Sequence, residues 1–249
     1  MTDLATFTPT LLGVGLLMAL TVAVLRAYKA PHSTAPAVAI LRGAAQLAVI
    51  SLVLSGIITE PLFVGLALLV MFTVAATVAT RRLGWAWQKL VFVGAAMAAG
   101  VALTLAIVFL TGAISFTPRF ALAVGGIIIG NAMTITTLAG RRFTESVIAR
   151  WEEVEGWLAL GATPRQSTLE LARGAVYSAL IPSTDQTKTT GLVTLPGAFV
   201  GAIFGGLSPL EAGRFQIVVL ASIMAAGAVT AVLIITFLAP VRVKPAALG

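Results

Sequence analysis

The sequence predicts an all-α, polytopic membrane protein of about seven transmembrane helices, with a cytoplasmic helical elbow between the fifth and sixth. Three observations carry this prediction. Of 249 residues, 59% are hydrophobic and only 10% charged, and the mean hydropathy is +1.04, too little polar surface to solvate an ordinary globule of this size. Apolar runs near the roughly 20 residues needed to cross a bilayer recur along the chain, separated by short polar or proline-bearing breaks. These runs are continuously apolar, which selects helices over the alternating strands of a barrel.

In order, the expected spans are 9–27, 36–58, 61–79, 90–111, 120–139, 190–207 and 215–238, within a single permease-sized domain, 1–249. Asp3 precedes the first run and its basic residues follow it, the reverse of a secretory leader, so the first span is expected to be retained. Arg26 and Lys29 follow the first span, Arg81, Arg82 and Lys89 the third, and Arg141, Arg142, Arg150, Arg165, Arg173 and Lys188 the fifth. Arg242 and Lys244 follow the seventh, while the even-numbered connections hold only Arg119 and Arg214. Basic residues collect on the cytoplasmic side, so the N-terminus is expected outside and the C-terminus inside. The formal charge of +7 thereby has a membrane explanation, and no motif supports nucleic-acid binding. Cysteine is absent, which removes disulfides and thiolate metal sites. The lone His32 has no second ligand nearby in sequence and reads as a solvated turn residue.

The fifth connection, 140–189, is about fifty residues long, where helix connections are usually about two to eight. Within 144–160, Val147, Trp151, Val154 and Leu158 form one apolar stripe and Glu145, Glu152 and Glu153 turn away from it. Gly161 is placed to close that helix in a left-handed cap. Thr163, Pro164 and Gln166 are placed to open the next with a capping box. The polar face, acidic through Glu152, Glu153 and Glu155, points to a protein partner rather than anionic lipid.

Polar groups within the spans mark candidate path residues. Arg42 and Gln46 stand one turn apart in the second span, either facing a cavity or with Arg42 reaching to the interface. Asn131 and Met133 lie in the fifth, which is rich in threonine, and either line a path or join helices by hydrogen bonds. Asp185 and Lys188 can pair just before the sixth span, which Pro196-Gly197 interrupts as a binding site, a moving element or a simple kink. Gly197, Gly201 and Gly205, and likewise Gly126 and Gly130, keep the G-x-x-x-G spacing of close helix packing, within one subunit or between two.

Five blocks in order, LRGAAQLAVI (41–50), GGIIIGNAMTI (125–135), LALGATPRQ (158–166), ALIPSTDQTKTTGLVTLPG (179–197) and SPLEAGRFQIVV (208–219), resemble the FetB-type permeases of ATP-binding cassette transporters. Bacterial members of that family are associated with iron export and plant relatives with aluminium tolerance. The resemblance implies a homodimeric inner-membrane permease whose elbow, with Leu160, Gly161, Ala162 and Thr163 at its tip, couples to a separate ATPase subunit. This chain has no G-x-x-x-x-G-K-[ST] phosphate loop, so ATP and Mg²⁺ are expected in the partner and no cofactor in this chain. Ala198 and Phe199 stand where the family resemblance leads one to expect a methionine pair, so iron rests on the resemblance and not on visible ligands. A secondary transporter or channel without an ATPase is the alternative. No H-e-x-x-H or G-x-S-x-G motif points to an intramembrane enzyme.

Overall fold

A computed structural model describes residues 4–57 and 60–247; Asp3 and Ile58 lie outside the described residues. The chain packs as two compact units, 1–58 and 59–249. In the first, α1 (Leu4–Ala27) and α2 (Ala35–Ile57) form an antiparallel pair. Their turn places both Lys29 and His32 at positive φ, 56° and 55°, and His32 accepts from Ala35 N–H through its carbonyl at 2.9 Å.

The second unit is a helical bundle of α3 (Pro61–Arg82), α4 (Trp87–Leu110), α5 (Pro118–Ala149), α8 (Leu169–Thr189) and α10 (Pro209–Leu238). Three short helices, α6 (Trp151–Ala159), α7 (Pro164–Ser167) and α9 (Gly197–Phe204), link the long ones. Proline opens α3, α5 and α10 at the first turn, where its missing N–H costs nothing. Thr117 caps α5 through Phe120 N–H, and Ser208 with Glu211 forms a complete capping box on α10.

Between the long helices the backbone comes close where side chains are small. A Cβ on Gly100 of α4 would lie 2.7 Å from Ala226 O of α10 and would collide with Thr230. Thr230 Oγ1 also donates across this crossing to Ala96 O at 3.4 Å. Farther along, Phe92 stacks on Phe237 with centroids 3.7 Å apart. Gly140 of α5 makes the matching approach to α3, where an added Cβ would meet Leu83 Cδ2 at 2.6 Å. In lipid such packing, rather than apolar burial, holds helices together. Met97, Val124, Ile128, Ile135 and Ile234 fill the space between.

Among the described residues, five helices are long and apolar enough to cross a membrane: α1 from Thr8, α3, α4, α5 and α10. The sixth expected span is placed differently. Residues 190–207 are not one helix: 190–196 are a turn with an isolated Thr190–Thr194 bridge, and only Gly197–Phe204 is helical. The long helix in this region is α8, which packs along α5 and α10 and is not among those five. Its polar stretch from Ser183 to Thr189 hides it from hydropathy, whereas Leu171, Ala172, Ala175 and Ala179 give it a narrow buried stripe.

Candidate functional site

At one end of the bundle the elbow forms as the sequence leads one to expect. Helix α5 runs to Ala149, Arg150 departs from helical geometry, and α6 continues, so the expected apolar stripe is split by one residue. Val147 and Val154 are nevertheless fully buried. Gly161 takes φ +89°, its N–H reaches Leu158 O at 3.0 Å and Ala162 N–H reaches Trp157 O at 3.0 Å, the left-handed cap that glycine allows. The capping box of Thr163 and Gln166 then opens α7. Thr168 Oγ1 donates to Ala239 O at 2.7 Å and anchors the elbow to the end of α10.

The tip carries an unusual surface. Leu160 is 82% exposed and Trp157 52%, beside exposed Glu152, Glu153 and Glu155. Glu153 accepts from Arg150 Nε at 2.8 Å, while Glu152 and Glu155 have no ion pair among the described residues. Such a surface, an apolar knob with an acidic margin, suits a protein socket with a basic rim.

The second cluster lies at half-height. Three contacts set the register of α8 against α10: Thr168 with Ala239, Leu180 with Gly227, and Thr184 Oγ1 with Met224 Sδ at 3.9 Å. The two helices therefore run antiparallel at equal steps, and Asp185 is level with about Ser222, near the middle of α10. Ile135 of α5 packs on the same Gly227, which brings Asn131, one turn away, to that level too. Lys188 Nζ and Asp185 Oδ1 are 3.2 Å apart. Asn131 Nδ2 donates to Ile127 O of its own helix at 2.9 Å, and Thr134 and Thr137 likewise bond back along α5. Thus the polar groups of α5 do not stitch it to its neighbours through these bonds. Met133 is half-buried against the core.

Beyond Thr189 the chain unwinds. Thr189 O accepts from the N–H groups of Leu192, Val193 and Thr194, and Gly191 N–H reaches Thr194 O at 2.8 Å. Gly191 has φ +88°, and Leu192 is 92% exposed. Pro196 acts as N-cap and Gly197 begins α9, so this pair starts a helix rather than interrupting one.

The glycine motifs separate. An added Cβ on Gly126 would meet Met71 Cε at 3.0 Å, while added Cβ atoms on Gly130, Gly197 and Gly201 would meet nothing within 4 Å, and one on Gly205 only carbonyls of its own helix. Gly201 and Ala202 instead line a cavity of about 710 Å³ with Arg119, Phe120, Ile127 and Phe215. Arg42 and Gln46 are exposed, one turn apart on α2. Among the described residues no group of three or more His, Asp or Glu could hold a metal ion. Sequence reasoning missed the Gly100 and Gly227 approaches, whose only sign is small residues at isolated positions, and the mid-height register, which requires α8 to be recognised as a bundle helix.

The family model of UPF0014, described as an uncharacterised protein family, matches residues 9–241. The chain is 40% identical over 197 residues to the UPF0014 membrane protein STAR2 of Oryza sativa subsp. japonica, covering 78% of this chain and 69% of that one. It is 38% identical to the protein ALUMINUM SENSITIVE 3 of Arabidopsis thaliana, over 75% of this chain and 69% of the relative. It is 35% identical to the probable iron export permease protein FetB of Escherichia coli (strain K12), over 69% of each. No solved structure matches the chain.

Proposed function

Because the chain belongs to the UPF0014 family of multi-pass membrane proteins, we propose that it is the permease subunit of an ATP-binding cassette transporter that exports metal ions, driven by a separate ATPase. The observation that carries this reading is the elbow: a capped, rigid tip that presents Leu160 and Trp157 beside Glu152, Glu153 and Glu155. A channel or secondary transporter needs no ATPase-docking surface. ATP and Mg²⁺ belong to the partner on this reading, since the chain has no phosphate loop. The assembly is a homodimer in the inner membrane, N-terminus outside and elbow and C-terminus in the cytoplasm. Residues 140–189 then join the docking surface to the path, with Asn131, Asp185 and Lys188 bordering the path at half-height. Iron is the first cargo to test, by similarity to the probable iron export permease.

The experiment is affinity purification of the chain from its native membrane, with identification of any bound nucleotide-binding subunit, for the parent and for Gly161→Pro. Proline fixes φ near −65°, opposite in sign to the +89° at Gly161, and removes the N–H that reaches Leu158 O. The variant is expected to insert and to lose its ATPase. Full association and transport in Gly161→Pro would remove the elbow from the mechanism. Stimulation of the reconstituted complex by Fe²⁺, Mn²⁺ or Al³⁺ tests the cargo, and metal export fails if none stimulates hydrolysis or crosses the vesicle. For orientation, a cysteine at Ser115 should label from outside and one at Glu170, both exposed in this Cys-free chain, only after the membrane is opened.

A further inference from the structure

The face of α8 that points away from the bundle carries an exposed ion pair. Gly174, Tyr177, Ile181, Asp185 and Lys188 follow one another at steps of three and four, the spacing of a helix-packing seam. All five are exposed: Tyr177 is 72% and Ile181 39% exposed, the side chains of Lys188 and Asp185 are 69% and 61% exposed, and Gly174 meets nothing within 4 Å.

Depth makes this exposure informative. Helix α10 has 30 residues, about 45 Å at about 1.5 Å each, and outspans a hydrocarbon layer about 30 Å thick. Arg119 and Arg214 near one end and Arg141 and Arg142 near the other bracket the apolar part of the bundle, and Asp185, level with about Ser222, lies between these two basic ends. The turn at 190–196 begins less than two helical turns farther on, with the 92%-exposed Leu192 and unwound backbone. Lipid does not satisfy an exposed ion pair, so this one persists at its depth only where protein or water covers it.

We infer that a second copy of this chain covers this face, the two α8 helices meeting along Tyr177, Ile181, Asp185 and Lys188, with Asp185 of each copy paired to Lys188 of the other. The inference rests on the homodimer reading above and specifies which surface makes it. A two-fold axis along the membrane normal sets identical residues at one level. Identical charges would then repel across the dyad, and the arrangement is favourable when each Asp185 reaches diagonally, over the about 4.5 Å of rise between them, to the other copy's Lys188, giving a charged constriction where each charge has a choice of partner. The 1–58 unit or a lipid are the competing occupants, and neither brings a matched charge pair to that level from anything seen in the sequence of the spans.

Two measurements on the full chain in native membranes test this. The first is oxidative cross-linking of Tyr177→Cys and Ile181→Cys, with Val91→Cys on the exposed outer face of α4 as control. With one cysteine per chain, any disulfide-linked dimer joins two copies. Strong linkage at 177 and 181 and little at 91 is expected. If the parent runs as a dimer and neither seam position links, the proposal fails while the homodimer stands. If the parent is monomeric, both fail.

The second uses charge. Lys188→Asp leaves two acids on each α8 and Asp185→Lys leaves two bases, so neither variant keeps a pair within its own helix. Only a mixed dimer restores both pairs. Coexpressed with different tags, the two variants should copurify as a mixed dimer at least about tenfold over either like-charged dimer, the discrimination of about 1.4 kcal/mol expected for opposed against matched charge. Random association would overturn the reciprocal pairing.

Discussion

Gly100 and Gly201 are the same residue in apolar helices of one bundle, yet they occupy opposite environments. Gly100 is where α4 and α10 touch, with no room for a methyl group between it and Ala226 O. Gly201 belongs to a double G-x-x-x-G repeat, the stronger packing motif on paper, and its missing side chain opens onto a cavity. A glycine pattern therefore reports where a helix is thin, and only the neighbour decides whether that thinness is filled within the chain.

The largest test of this contrast is Gly100→Leu. The side chain must displace backbone of α10 and break the Thr230 to Ala96 bond, so a loss of about 3 kcal/mol is expected, the upper part of the overpacking range. It would be read as a large drop in melting temperature of the detergent-solubilised chain, and an unchanged value would mean the crossing is looser than described. Next is Gly161→Ala, which forces an L residue to φ +89° at about 1 to 2 kcal/mol. Its effect should be confined to the elbow, visible as faster amide exchange in α6 and α7; uniform loosening of the whole bundle would contradict it.

Smaller and opposite in sign is Gly201→Ala. No atom stands in the way and alanine is the better helix former, so stability should rise by up to about 1 kcal/mol. A fall like that of Gly100→Leu in the same melting assay would show that α9 packs more closely than its cavity implies. The smallest effect on stability is expected for Asn131→Leu. Its amide bonds only to Ile127 O of its own helix, so no partner on another helix is stranded and the change should stay within about 0.5 kcal/mol. Loss of metal-stimulated hydrolysis in that variant, with assembly intact, is the outcome a path role requires; poor assembly would return Asn131 to packing.

Much of this architecture is legible in the sequence. The apolar runs locate α1, α2, α3, α4, α5 and α10, and Gly161, Thr163, Pro164 and Gln166 specify the elbow almost atom by atom, because caps and left-handed turns are local chemistry. The long helix that follows the elbow, α8, was not legible, for a physical reason. Hydropathy assumes that each crossing faces lipid, and α8 does not need to: its alanine stripe at 172, 175 and 179 packs on α5 and α10, which leaves its other face free to carry Asp185 and Lys188. Conversely 190–207 is apolar enough to cross but contains Gly191 at φ +88° and Pro196, which stop a helix from forming through it. For the candidate site, residue types could be picked out, but that Asn131, Asp185 and Thr184 share one level depends on register between helices distant in sequence.

The unequal build of α5 and the chain that returns beside it has a mechanical consequence. α5 is one uninterrupted rod of 32 residues, about 48 Å long, rooted in the elbow at one end and reaching Phe120 beside Phe215 at the other. Its antiparallel companion is a jointed arm: α8 is fixed to the elbow end through Thr168, α9 packs on α10 at the far end, and seven unwound residues lie between. A small tilt imposed at the elbow is carried along the rod undiminished, as a lever carries it, whereas in the arm it is taken up at the hinge. Relative displacement between the two therefore arises not along α8, next to the elbow, but beyond the unwound turn, where α9 and the far part of α5 line the same cavity.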